Sequence, residues 1–295
     1  MHYFLVSIAV AMFGIQFLFS KKYEQNAGNG IGASFIASFI SGLIGVICLT
    51  IINGIQFSVT PFTLLMATLV AFNSIAYTFC ALKALKRINL SLYSLFAMLG
   101  GMILPFFQGI IFYNEPITVA KIVCVVFIIV ALALGISKSE AKGGTIYYIG
   151  VFMLNGMSGV LAKIFQSSAL PKTSNAMYSI LCSAILCLLS GTIIIILALI
   201  SKAKKNEEQP LIKAPNAKAI LFASGGGVLN NVANFFLLIS LAFIPASVQY
   251  PFITGGVMIV STVISAIVGA KPSKKEVFAV ILSFVGILAL VLIPI

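Results

Sequence analysis

The chain has 295 residues, 61% of them hydrophobic and 8% charged, with a mean hydropathy of +1.16. Those values exclude a soluble globular domain and leave room for about ten bilayer-crossing helices with short connections. The formal charge of +12 sits in short segments between apolar runs, so it reports orientation in a membrane rather than a nucleic-acid partner.

A first helix is expected over residues 3–20, carrying Gly14 and Gln16, with residues 21–30 as a loop. No cleavable signal peptide is evident, because the first apolar run has Met1-His2 in front and Lys21-Lys22 behind. It reads as a retained helix. A second helix over 31–52 repeats small residues every four positions: Ser34, Ser38 and Gly42 on one stripe, Ala33, Ala37, Ser41 and Gly45 beside it. Such stripes let helix backbones approach closely, within the chain or against a second copy in a homodimer. A third helix over 61–82 places Asn73 and Tyr77 one turn apart.

The fourth and fifth helices follow from LYSLFAMLGGMILPFFQGIIFY, the turn NEPIT, and VAKIVCVVFIIVALALGI, which together span Leu92–Ile136. Asn114 or Glu115 suits a cap for the fifth helix, and Pro116 suits its first turn. Residues 138–144 read as a polar hinge. The sixth helix (145–165) carries Asn155, Gly156, Gly159 and Lys163, and the seventh covers 176–201. Residues 202–218 form the longest charged stretch, too short for a domain and read as a linker. The eighth helix (219–244) holds three glycines, Gly225 to Gly227, then Asn230, Asn231 and Asn234. The ninth (248–269) begins with Gln249-Tyr250-Pro251 and contains Gly255-Gly256, and the tenth covers 277–292.

The fourth–fifth unit recurs 156 positions later without a gap. Ser91, Phe96, Gly100, Met102, Ile103 and Pro116 fall on Ser247, Phe252, Gly256, Met258, Ile259 and Pro272, and Leu132-Ala133-Leu134 falls on Leu288-Ala289-Leu290. A long self-match marks one membrane unit used twice, here 1–139 and 145–295. Five helices per copy reverse direction at the midpoint, which predicts an all-α, ten-helix, 5+5 inverted repeat. Fifteen of the 18 Lys and Arg lie in the loops after the odd-numbered helices. By the positive-inside rule those loops are cytoplasmic and both termini face out, in a multi-pass cell-membrane protein.

The helix–NEPIT–helix segment, with its small-residue centre, Pro105 and Glu115, resembles the EamA-type branch of the drug/metabolite transporter superfamily. The resemblance covers essentially the whole chain, duplication included. It implies a central cavity lined mostly by helices 1, 3, 4, 6, 8 and 9, with 5 and 10 outside. Two features depart from the family pattern. The second copy has Ala270-Lys271-Pro272 where the acidic turn would stand, and such families commonly keep both termini in the cytoplasm.

Chemistry is limited by inventory. The chain has no Asp, its one His is His2, and its six acidic residues are Glu24, Glu115, Glu140, Glu207, Glu208 and Glu276, all in loops or at helix ends. An enzyme, a metal site or a bound cofactor is therefore not expected, and no phosphate-binding loop is present. Five cysteines all fall in spans, so disulfides are not expected. The polar groups that reach mid-span are Gln16, Asn73, Tyr77, Asn155, Asn230, Asn231, Asn234 and Gln249, with Tyr93 the repeat equivalent of Gln249. Amides and hydroxyls among Phe and Tyr suit a neutral or zwitterionic small-molecule substrate. For each, helix–helix hydrogen bonding or interfacial anchoring is the competing reading. Lys163, deep in an apolar run, snorkels to the interface or pairs with an anionic group of the substrate. Glu115 reads as a cap before a coupling group. Gly100-Gly101 and Gly255-Gly256, at matched depths, read as gate points or as plain packing. The expected function is alternating-access transport of a small polar or amphipathic metabolite. A lipid or polyprenyl-linked amphiphile flippase and a non-transporting membrane scaffold are the alternatives.

Overall fold

The computed structural model describes residues 2–27, 30–54, 57–85, 90–134, 145–203, 212, 214–268 and 273–292. Within them the chain forms ten helices: α1 (His2–Ala27), α2 (Ile31–Asn53), α3 (Pro61–Leu85), α4 (Leu90–Tyr113), α5 (Val119–Leu134), α6 (Thr145–Ser167), α7 (Asn175–Ala203), α8 (Ala217–Ser240), α9 (Ala246–Ile267) and α10 (Lys274–Leu292). Eight are long and apolar enough to cross a membrane. The other two are α5, with 16 described residues, and α10, which begins on Lys274-Lys275-Glu276. The chain is a multi-pass, all-helical membrane protein. Large apolar side chains such as Ile51, Phe112, Ile146 and Leu188 are correspondingly exposed, as a lipid-facing surface requires.

Two boundaries differ from the sequence reading by more than three residues. Residues 21–27 extend α1 instead of forming a loop, because Tyr23 is buried on Ala33, Ala219 and Ala223 and its hydroxyl donates to the Ala33 carbonyl at 2.5 Å. At the other end of the pattern α8 stops at Ser240, and Leu241–Phe243 turn. The carbonyl of Ser240 accepts from both Phe243 and Ile244, a tightened last turn. The expected hinge at 138–144, most of the 202–218 linker and the Ala270–Pro272 turn lie outside the described residues.

The helices pack as two compact units. The first comprises Met1–Ile15, Phe79–Ser168 and Phe236–Ile295. In it α4 packs on α6 and α9, and α10 on α5 and α9. Its apolar centre holds Val6, Val10, Met102, Cys124, Ile128, Val257 and Leu290. The α4–α6 contact is made by glycine: a Cβ on Gly156 would stand 2.5 Å from the Gly100 carbonyl, and one on Gly100 would strike the Phe152 carbonyl.

The second unit comprises Gln16–Thr78 and Ala169–Phe235. Here α2 packs along α7, and the small-residue stripe of α2 is used within the chain. A Cβ on Gly42 would lie 2.8 Å from the Ser183 carbonyl, and one on Gly45 would lie 2.6 Å from Asn231 Oδ1. These units are defined by packing and each draws on both sequence halves, so they neither test nor replace the division at 139/145.

Candidate functional site

The most elaborated polar site lies in the first unit, on Glu115. Helix α4 ends at Tyr113, and Asn114 takes a left-handed φ of 51°. The next amide, Glu115 N–H, returns to the Gly109 carbonyl at 3.1 Å. That seven-residue closure over the left-handed Asn114 ends the helix. It folds the Glu115 side chain back over α4, and Gly109 leaves the room: a Cβ there would run into the Glu115 carboxylate.

The cap expected for α5 is supplied elsewhere. Thr118 Oγ1 accepts from the Lys121 amide at 3.4 Å, and Pro116 lies ahead of the helix rather than in its first turn. Glu115 instead caps α9, a helix that starts 131 residues later. Its Oε1 accepts from Ala246 N–H at 2.9 Å, and its Oε2 from Ser247 N–H at 2.9 Å and Ser247 Oγ at 2.5 Å. Pro245, the N-cap residue of α9, offers no side-chain bond of its own. The carboxylate thus satisfies amides that would otherwise be orphaned and meets the positive end of the α9 dipole.

Lys163, four residues from the end of α6, completes the cluster. Its Nζ lies 3.1 Å from Glu115 Oε1, with the side chains 10% and 8% exposed, and 5.0 Å from the Tyr113 ring centroid. Its partner in the structure is this protein carboxylate. Burial alone would raise the Glu115 pKa, but the donors from Ser247, Lys163 and Ala246 outweigh it and hold the carboxyl below the ordinary value. Behind the turn, fully buried Lys121 donates from Nζ to the Pro116 carbonyl at 2.7 Å. Beside the cluster opens a cleft of about 340 Å³, lined by Tyr113, Glu115, Lys163 and residues 241–245. His2 stacks on Phe243 of that wall with ring centroids 3.8 Å apart.

The mid-span amides divide into two sets. Three are spent on helix packing. Asn155 Nδ2 donates to the Ala97 carbonyl at 2.6 Å across α4–α6. Gln249 is 1% exposed and donates to Leu237 O at 2.9 Å. Asn231 is a knot: Nδ2 reaches Ser41 O at 3.0 Å and Gly227 O at 2.8 Å, and Oδ1 accepts from Ser183 Oγ at 3.1 Å. The second set belongs wholly to the second unit: Gln16, Asn73, Tyr77, Asn230 and Asn234. Asn73 is buried, Gln16, Tyr77 and Asn230 are half-buried, and Asn234 is exposed. Asn73 and Tyr77 have partners in the protein, and Asn234 Nδ2 donates to Asn230 O at 2.8 Å. The Tyr93 side chain lies outside the described residues.

The four glycines stand in tight packing. A Cβ on Gly101 would meet Asn155 Nδ2 at 2.7 Å, one on Gly255 would meet Ile128 and Ile287 at 3.1 Å, and one on Gly256 would meet Val10 at 2.8 Å. No group of three or more potential metal ligands occurs among the described residues. Sequence reasoning passed over Gly109 and Lys121. Nothing in the spacing marks Gly109, since it is required by a carboxylate folded back over α4 and not by the helix stop itself.

No protein-family model matches the chain, and no curated protein matches it. Among solved structures, the chain is similar to a crystal structure of a protein that superposes with a TM-score of 0.74. The match covers 99% of this chain and 96% of that one, at 15% sequence identity. At that identity the likeness is one of fold.

Proposed function

We propose that the chain is a secondary transporter that moves a small polar or amphipathic metabolite by alternating access, built on the EamA-type plan of two oppositely oriented five-helix copies. Two features support the repeat. Pro61 and Ala217, and Leu90 and Ala246, begin their helices 156 residues apart, the spacing of the sequence self-match. In addition, α2–α7, α4–α9 and α5–α10 each pair a helix with the one five places on. Orientation follows the cationic loops, with odd-numbered loops cytoplasmic and both termini outside.

The observation that carries the transport reading is Asn234. It lies inside an apolar 24-residue helix, yet its amide is exposed and hydrogen-bonded only back to Asn230 among the bonds described. A polar group at such a depth faces a hydrated cavity or a ligand in preference to lipid. With Gln16, Asn73, Tyr77 and Asn230 in the same unit, it supplies the hydrogen bonds that a neutral or zwitterionic solute needs.

Purified protein in liposomes, tested for uptake and counterflow of amino acids, nucleosides, sugars and organic cations, should carry one class. Asn234→Leu should abolish that uptake with the unfolding temperature unchanged. Normal uptake by this variant removes α8 from the site. Movement of labelled lipids between leaflets without solute uptake would favour the flippase reading instead.

A further inference from the structure

The Glu115 cluster has a feature that a structural cap does not require. One carboxylate holds three separate elements: the α4–α5 turn that carries it, the first amides of α9, and Lys163 of α6. No two of these can separate without breaking bonds of 2.9–3.1 Å to the same two oxygens. The turn is built to present that group. The left-handed Asn114, the Glu115–Gly109 backbone bond, the missing Cβ of Gly109 and the Lys121–Pro116 bond all fix where the carboxylate points.

What surrounds the cluster matters as much. Deeper in this unit α4, α5, α9 and α10 are joined by dry apolar packing. At the cluster a cleft of about 340 Å³ opens beside the last members of that packing, Ile244 and Val248. The same end is also joined by buried Phe165, Ile244 and Val248 and by two hydrogen bonds to α6, Tyr250 Oη to Gly159 O at 3.1 Å and Gln108 Nε2 to Val160 O at 3.2 Å. Only the carboxylate, however, ties the α4–α5 turn, α6 and α9 at one point.

In the sequence the clasp has no counterpart at the repeat-equivalent position. The residue 156 positions beyond Glu115 is Lys271, an ammonium that has no acceptor to offer helix amides. Its amide counterpart, the start of α4 at Leu90-Ser91, therefore has no equivalent carboxylate in the sequence.

We propose that Glu115, Lys163 and the α9 N-terminus form a one-sided latch, which holds this end of the unit shut in the resting protein and must break for it to open. As a gate the latch rests on the carrier reading; as a coupled opening it can be tested without transport. Hydrogen exchange on the full-length protein in nanodiscs reads it directly. Lys163→Met keeps the α9 cap but removes the bond to α6. The latch predicts that exchange rises by about tenfold at the end of α6 and at Ala246–Gln249 together, with the α2–α7 pair unchanged. A rise confined to α6, or no rise, overturns the latch and leaves Glu115 a simple cap.

If Lys163→Met exchanges faster everywhere, Ser247→Ala is the second variant, since it removes one donor and keeps both charges. It should loosen α6 along with α9; loosening of α9 alone overturns the proposal. If exchange behaves as expected but no solute is carried by either wild type or variants, the latch stands and the carrier reading falls.

Discussion

Lys163 Nζ and Glu115 Oε1 are 3.1 Å apart, and both side chains are about nine-tenths buried. Two charges in that setting are held by each other and by further donors, so loss of either is felt. Glu115→Ala should cost about 3–5 kcal/mol, because it strands a buried ammonium and uncaps α9. Lys163→Met should cost less, since Ala246 and Ser247 still serve the carboxylate. Unfolding in mixed detergent, with both variants and the double variant, measures the coupling. Equal costs for the two single variants would contradict this division.

The same carboxyl makes stability depend on acid. Its folded pKa lies below the ordinary 4.5, so the folded state binds the proton less well than the unfolded one. The stabilisation is complete above the ordinary value and is lost as pH falls through the folded value. As pH falls below the ordinary 4.5, the unfolding temperature of the wild type should approach that of Glu115→Gln. Parallel curves for the two proteins would show that Glu115 does not titrate in this range.

Asn231 and Asn234 are one turn apart and should answer mutation differently. Asn231→Leu removes an amide bonded to Ser41, Ser183 and Gly227, and leaves their groups short of partners. A loss of about 1–3 kcal/mol is expected, with substrate preference unchanged in whatever protein folds. The exposed Asn234 should show the reverse pattern: little change in stability and a large one in uptake.

Gly156→Ala places a methyl 2.5 Å from the Gly100 carbonyl, and backbone cannot step aside as a side chain can. A destabilisation of at least about 1–3 kcal/mol follows. Gly30→Ala is the control, because nothing lies within 4 Å of its added Cβ. Thermal unfolding of the pair side by side checks the expectation.

Membrane residence and the helix order were legible because hydropathy is a sum over some twenty residues and tolerates local error. The largest boundary failure, residues 21–27, came where side chains of other helices decided it. Tyr23 stayed helical because of Ala33 and Ala219, and α8 stopped at Ser240 where its last turn tightens. Among the polar residues, type and depth were readable but employment was not. Asn155, Asn231 and Asn234 look alike in a sequence, and only packing separates the amides bonded across helices from the one left exposed.

Composition and periodicity, which are local properties, determined that this is a helical membrane chain. Only the tertiary structure decided that Glu115 caps α9 rather than α5, and that Lys163 is its counter-ion. A hydrogen bond between residues 131 positions apart depends on how helices are brought together in space, and no spacing along the chain records that.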